Sequence, residues 1–301
     1  MYKLFMDFEN PTEALVGTRK SVQGFAVHGD VGFVLFHTGI CAAYGLKERC
    51  GKPLGVFKLG SYNEGEPDAR YANHANDAMF GSMVPGEAFP LLYVTAGNSG
   101  DSDEKGYIAY CAVEQIRLKD GHFQSETVQK IYYKNDGIEQ SPYKTPGWGW
   151  PASLVDTEGG FYYMLSAKYR TKRPFSLPDN EYIVTKFPLP PVTEKEVVLT
   201  PGDILEQFEL PFTAYATQGG TVRDGKIWYL FGFGREDYPD ALRVIDLKTH
   251  SYALSEDLSG TPFGDQEVEC CAFYGDRFLI NTQGEKIYER MEGGAIYDER
   301  V

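Results

Sequence analysis

Thr221-Val222-Arg223-Asp224-Gly225-Lys226-Ile227-Trp228-Tyr229-Leu230-Phe231 carries the pattern from which the fold is read. A short strand meets an Asp-Gly pair and continues as a more apolar strand. Glycine tolerates positive φ, so Asp-Gly between two strand-forming runs closes a tight hairpin. The same unit stands at Phe25 to Phe36 around Gly29-Asp30, and at Ala272 to Ile280 around Gly275-Asp276. Ala152 to Leu165 is a copy with a longer turn through Glu158-Gly159-Gly160. Asp77 to Gly81 followed by Leu91 to Thr95 is a further copy, its turn expanded about Pro85-Gly86. Self-similarity spread along the whole chain is the mark of a repeat architecture.

Outward from each hairpin lies a loop and then another strand pair. Ile40 to Leu46 is followed by Leu54 to Leu59, and Gly106 to Leu118 turns at Asp120-Gly121 into His122 to Tyr133. Glu181 to Phe187 leads to Val197 to Leu199, and Leu242 to Asp246 leads to Ser251 to Leu254. The last unit offers only three strands, ending at Lys286 to Arg290, while Tyr2 to Phe8 is a strand with no local partner. Pairing the two termini closes a ring and removes two exposed sheet edges. The expectation is an all-β chain, one domain over residues 1–301, of five four-stranded antiparallel blades. Six blades is the alternative, a weak one lying within Lys195 to Phe212. A β-sandwich would leave the repeated unit unexplained. The longest helix-compatible stretch is Pro201 to Leu210.

Composition narrows the partners. A net charge of -14 opposes nucleic-acid binding, which needs a basic surface. No apolar run approaches the roughly 18 residues of a membrane span. Met1 to Phe8 lacks the basic start, apolar core and small-residue cleavage site of a leader. Cys41, Cys50, Cys111, Cys270 and Cys271 form an odd set without metal-type spacing, which points to free thiols in a reducing, cytoplasmic setting. No dinucleotide fingerprint, phosphate-binding glycine loop or Gly-x-Ser-x-Gly stands in its required context, so no cofactor is expected.

The repeated four-strand unit and terminal closure resemble the five-bladed β-propellers. The Trp-Asp ending of WD repeats and the Gly-Gly pair of kelch repeats are absent. The resemblance implies a central channel whose mouth is lined by the starts of the inner strands. Five-bladed propellers include glycoside hydrolases, sucrose-type fructosidases and sugar-binding lectins. In such hydrolases, acidic residues near the inner-strand starts of successive blades carry catalysis. This chain departs from that pattern, since its inner-strand starts offer Gln23, Asp77, Trp150, Gln218 and Glu267 or Glu269.

Polar residues cluster where those strands begin, above all in Tyr71 to Gly81. The candidate ligand-binding residues are Gln23, Asn73, Asn76, Trp148, Trp150 and Gln218 at the mouth, with Arg170 and Arg235 on its rim. Other rim segments are Thr38-Gly39, Asn98 to Asp103, Lys168 to Arg173, Arg235 to Asp240 and Gln283. Indole rings suit the C–H face of a sugar, and amides and carboxylates suit its hydroxyls. The candidate catalytic residues are Asp77, Glu267, Glu269 and His74. Carboxyl pairs across a cleft serve glycoside cleavage, and His74 is a candidate base with Asp77 orienting it. The competing readings are a hydrogen-bonded loop anchor for His74 and a salt bridge from Glu269 to Arg223 or Arg277. No His pair has zinc spacing, so no metal site is expected.

Three functions follow from this set. The first is binding of a small polar ligand, a carbohydrate, at the mouth. The second is a glycan-acting enzyme, a hydrolase or lyase, using the carboxylates. The third is a protein-interaction scaffold. An enzyme calls for a carboxyl of raised pKa in a cleft, whereas a scaffold calls for a plugged channel and an exposed apolar patch.

Overall fold

The computed structural model describes residues 1–65, 72–96, 107–144, 148–168, 180–211, 213–214, 216–260 and 262–291. β1 (Tyr2–Asp7) runs through the one-turn helix α1 (Thr12–Val16) into the first blade. That blade is β2 (Val22–His28), β3 (Val31–Phe36), β4 (Ile40–Gly45) and β5 (Pro53–Lys58). The second is β6 (Ala78–Phe80), β7 (Leu91–Thr95), β8 (Tyr107–Lys119) and β9 (His122–Lys134). The third is β10 (Trp148–Asp156), β11 (Phe161–Ala167) and β12 (Glu181–Pro188), followed by β13 (Glu196–Leu199) and β14 (Glu206–Pro211). β15 (Thr217–Arg223), β16 (Lys226–Phe231), β17 (Ala241–Asp246) and β18 (Ser251–Asp257) make the fourth. β19 (Val268–Tyr274), β20 (Arg277–Thr282) and β21 (Lys286–Arg290) belong to the fifth. The inner strands β2, β6, β10, β15 and β19 stand round one axis, giving a five-bladed β-propeller.

The hairpins form for the reason the turns suggest. Asp224 and Gly225 both have positive φ, 51° and 68°, which matches the strand twist in a two-residue turn. Closure by the N-terminus holds: β1 pairs antiparallel with β21, from Tyr2 opposite Arg290 to Asp7 opposite Lys286. Phe5, Met6 and Phe8 are buried beside Phe25, Tyr44 and Leu279, so the join is a packed seam as well as a ladder. The tail then presses against the first blade at Gly51, where a Cβ would lie 2.2 Å from the Asp7 carbonyl oxygen.

The apolar clusters lie between neighbouring blades, because each blade buries both faces. Phe33, Phe57, Phe80, Phe89 and Phe123 interlock between the first two blades. All five cysteines are free, and only Cys50 is exposed.

Two expectations need correction. Val197 to Leu199 does not form the outer strand of the third blade. As β13 it pairs parallel with β9, extending the second blade to five strands. The long β8–β9 hairpin offers an edge there, and the Gln129 amide clamps the approaching segment by donating to the Pro191 and Glu194 carbonyls at 2.9 and 3.0 Å. The outer strand of the third blade is instead β14, within the stretch read as helix-compatible; only Pro201–Asp203 there makes a 3-10 turn. Pairing with β12 outweighs local helix preference. With Lys195 to Phe212 divided in this way, no sixth blade remains among the described residues.

Candidate functional site

Four inner strands break register with their neighbours near their starts, at Val22/Phe25, Trp148/Ala152, Thr217/Gly220 and Val268/Cys270. A bulge leaves backbone groups outside the ladder and re-aims a side chain. Freed backbone groups must find other partners when buried, and side chains of the same and of other blades supply them here. The Asp77 carboxylate accepts from Gly220 N–H at 2.9 Å, and the Asn76 amide donates to the Gln218 carbonyl. The Tyr229 hydroxyl donates to the same carbonyl at 2.6 Å. Asn281 accepts from Cys270 N–H at 2.7 Å and donates to the Gln23 carbonyl at 2.9 Å. The Thr95 hydroxyl oxygen accepts from Ser153 N–H at 3.0 Å. The blades are thus laced across the axis by polar side chains.

Close backbone approach seals the middle of that axis. A Cβ on Gly24 would lie 2.7 Å from the Ala75 carbonyl oxygen, and one on Gly219 would lie 2.6 Å from Cys270 Sγ. Asp77 therefore lies within the wall, 1% exposed, and burial pushes its carboxyl up to about 8. The bonds from Gly220, Thr95 and Tyr229 pull in the opposite direction without prevailing.

Above this layer, on the face where the inner strands begin, lies a second group. Gln218 donates to Glu267 Oε1 and to the Gly232 carbonyl, both at 2.5 Å. Glu267 is partly buried, and desolvation raises its carboxyl while Gln218 and Arg235 oppose the rise. Glu269, 1% exposed, is raised well above the carboxylate range by burial and then by Glu267 and Asp240. Asp240, 1% exposed, is raised to about 7 by burial, with Glu267 adding to the effect. Its other carboxylate oxygen accepts from Gly234 N–H at 2.8 Å. Gln23 Oε1, Asp240 Oδ2 and Glu269 Oε1 are buried without a hydrogen-bond partner.

Glu269 does not form the expected bridge to Arg223 or Arg277. Arg277 forks onto Glu289 at 2.6 Å, and Arg223 binds Asp276 at 2.8 Å. Both arginines sit at the opposite ends of their strands from the mouth. His74 faces His37 with Nδ1 atoms 3.1 Å apart. Burial, with His37 adding, lowers the His74 ring to about 3, so it stays neutral near pH 7. The Asp77 carboxylate is turned across the axis to Gly220 and Tyr229 instead. Asn73 is a loop anchor: its side chain donates to Ser61 and accepts from Ala75 N–H at 2.9 Å. Arg235 is exposed on the rim, paired with Asp237 at 3.2 Å. Arg170 lies outside the described residues, as do Asn98 to Asp103 and Arg173; the side chains of Trp148 and Trp150 are likewise outside them.

Three residues escaped prominence in the sequence. Asp240 counted only as the end of a rim segment, and His37 and Asn281 were not singled out. Asp240 directly precedes the apolar strand β17, as Asp77 directly precedes β6, and that shared position is the signal available from sequence. Among the described residues, no group of three or more His, Cys, Asp or Glu side chains is arranged to hold a metal ion.

No protein-family model matches the chain, and no curated protein sequence matches it. Two solved structures are similar to it over most of the chain. Myxococcus xanthus glutaminyl cyclase is similar with a TM-score of 0.49 and 12% identity, over 96% of this chain and 94% of that one. The PQQ-bound aldose sugar dehydrogenase of Streptomyces coelicolor is similar with a TM-score of 0.45 and 13% identity, over 96% and 97%.

Proposed function

We propose that the protein binds a small polar ligand of the carbohydrate class at the mouth of the axis, on the face where the inner strands begin. The observation that carries this reading is the convergence of Asp240, Glu267, Glu269, Gln23 and Gln218 there, with three buried acceptor oxygens left unpartnered. Buried polar atoms cost free energy unless bonded. A ligand rich in O–H or N–H donors would complete them. The test is a thermal-shift screen with mono- and oligosaccharides, followed by calorimetry on the wild type and Gln218→Ala. A sugar that raises Tm and binds the variant at least about tenfold more weakly supports the reading. A ligand whose affinity ignores Gln218→Ala sinks it.

A second reading, acid–base catalysis on that ligand, is favoured by one observation. Glu267 is partly buried, raised in pKa, and oriented by the Gln218 amide at 2.5 Å. A carboxyl raised above its ordinary range holds its proton more firmly and is better placed to give as well as take one. Glu267 would exchange the proton with the bound ligand, and Gln218 would hold the carboxyl in place. Glu267→Gln keeps the shape and removes the titration. A catalyst loses turnover by a factor of about 100 or more, whereas a pure binder retains most of its affinity.

A further inference from the structure

Resting on the binding reading just given, we infer that the ligand presents a protonated amine to Asp240, Glu269 and Gln23, so that the site selects cationic amino compounds over neutral or acidic ones. Three unpartnered oxygens at the mouth are acceptors: one of Asp240, one of Glu269 and the amide oxygen of Gln23. Gln23 is 4% exposed, and the rest of its side chain reaches only Ser21 Oγ, at 3.4 Å. Its backbone is tied by Asn281 to the residue following Glu269, which sets the Gln23 and Glu269 bulges side by side. What these three oxygens lack is a donor. An ammonium group brings three N–H donors, whereas a hydroxyl brings one.

Charge points the same way. Among the described residues, no Lys or Arg stands within ion-pair distance of Asp240, Glu267 or Glu269, although Arg277 serves Glu289 and Arg223 serves Asp276. Arg235 influences Glu267 from the rim, with its own guanidinium about half exposed and paired to Asp237. Glu267 raises Asp240 and Glu269, and Asp240 raises Glu269; a bound cation draws these carboxyls back toward their charged form as well as filling empty acceptors. A neutral polyol can do only the second. An anion can do neither.

The rings of glucosamine, glucose and glucuronate differ in charge on one skeleton and serve as probes. Calorimetry with the full chain at about pH 6.5, where such amines are protonated, gives the comparison. Glucosamine is expected to bind on the order of tenfold tighter than glucose, with glucuronate weakest. Glu269→Gln, which keeps the side-chain shape, should bring glucosamine and glucose within about threefold of each other at unchanged Tm. Equal affinities of glucose and glucosamine for the wild type would overturn the amine while leaving the polar-ligand reading in place. Absence of binding by all three would overturn both. An undiminished glucosamine preference in Glu269→Gln and in Asp240→Asn would place the amine elsewhere and overturn the assignment.

Discussion

Two buried carboxyl sites divide this molecule. At the seam between the first and second blades, Glu114 is fully buried and receives four donors. They are Gly60 N–H at 2.8 Å, Ser61 N–H at 3.0 Å, and the Ser125 and Thr127 hydroxyls at 2.7 Å. At the axial mouth, Asp240 and Glu269 are as deeply buried, yet each keeps an oxygen without a partner. The same chemical group does opposite work. A carboxylate saturated by its own chain fixes the β5–β6 connection onto β8 and has nothing left for a ligand. A carboxyl left short of donors costs the fold and is retained where something else completes it. Counting donors around a buried acid, rather than noting burial, is what separates a structural strut from a binding group.

The largest effect should come from breaking the saturated site. Glu114→Ala strands two backbone amides in the seam, each costing about 1–3 kcal/mol, so stability should fall by about 2–6 kcal/mol in all. Denaturant titration measures it, and sugar affinity of the folded fraction should not move. A loss below about 1 kcal/mol would mean that the four donors find other partners.

Asp77 stands between the two cases, with donors but deep burial. Asp77→Ala removes the acceptor of Gly220 N–H and should cost about 1–3 kcal/mol. Asp77→Asn keeps that acceptor and should stay within about 1 kcal/mol of the wild type at neutral pH. Ligand binding should survive Asp77→Asn, since the side chain lies in the sealed wall; loss of binding would move the site down the axis.

The pH dependence sharpens the same contrast. Burial raises Asp77 to about 8 and Asp240 to about 7. The folded protein therefore holds protons that the unfolded chain releases above about pH 4. The contribution of these two groups is fully present below that pH and is lost as pH rises through 7 and 8. Melting temperature should fall between pH 5.5 and 8.5, and Asp77→Asn should flatten the decline. A profile rising over that interval would show that these carboxyls ionise freely in the native state.

The smallest effect belongs to Glu269→Gln. Replacing an unsatisfied acid by a neutral isostere should change stability by about 1 kcal/mol or less, in either direction. Chemical denaturation against the wild type checks this. A loss as large as that expected for Glu114→Ala would make Glu269 a strut and end the distinction between the two sites.

Much of the ring was legible in the chain because its causes are local. Asp224-Gly225 forms its turn through the φ preferences of two adjacent residues, and alternation in Lys226–Phe231 needs no distant partner to become a strand. The fifth blade, short of a strand, and the N-terminal strand without a partner were visible as a matching deficit and surplus. The polar strand starts were legible, and in the fold the Gln218 amide lies on Glu267. Their division of labour was not. Asp77 looked like the leading acid because it opens a strand beside His74, yet it serves a backbone amide on the opposite blade.

The sequence alone determined most of the strands, the hairpin turns and the closure of the ring, and favoured five blades over six, since each follows from neighbours along the chain or from a terminal strand without a mate. Tertiary structure decided that Glu196–Leu199 crosses to β9, because an open edge on another blade captured it. It also decided which buried acids are satisfied. Asp77 meets Gly220, and Asn281 meets Gln23, across separations no local pattern encodes. Asp240 and Glu269 meet no donor from the described chain on their second oxygens. Hydrogen-bond saturation is a property of the folded surroundings, and so the unpartnered oxygens of the mouth come together only once the ring has closed.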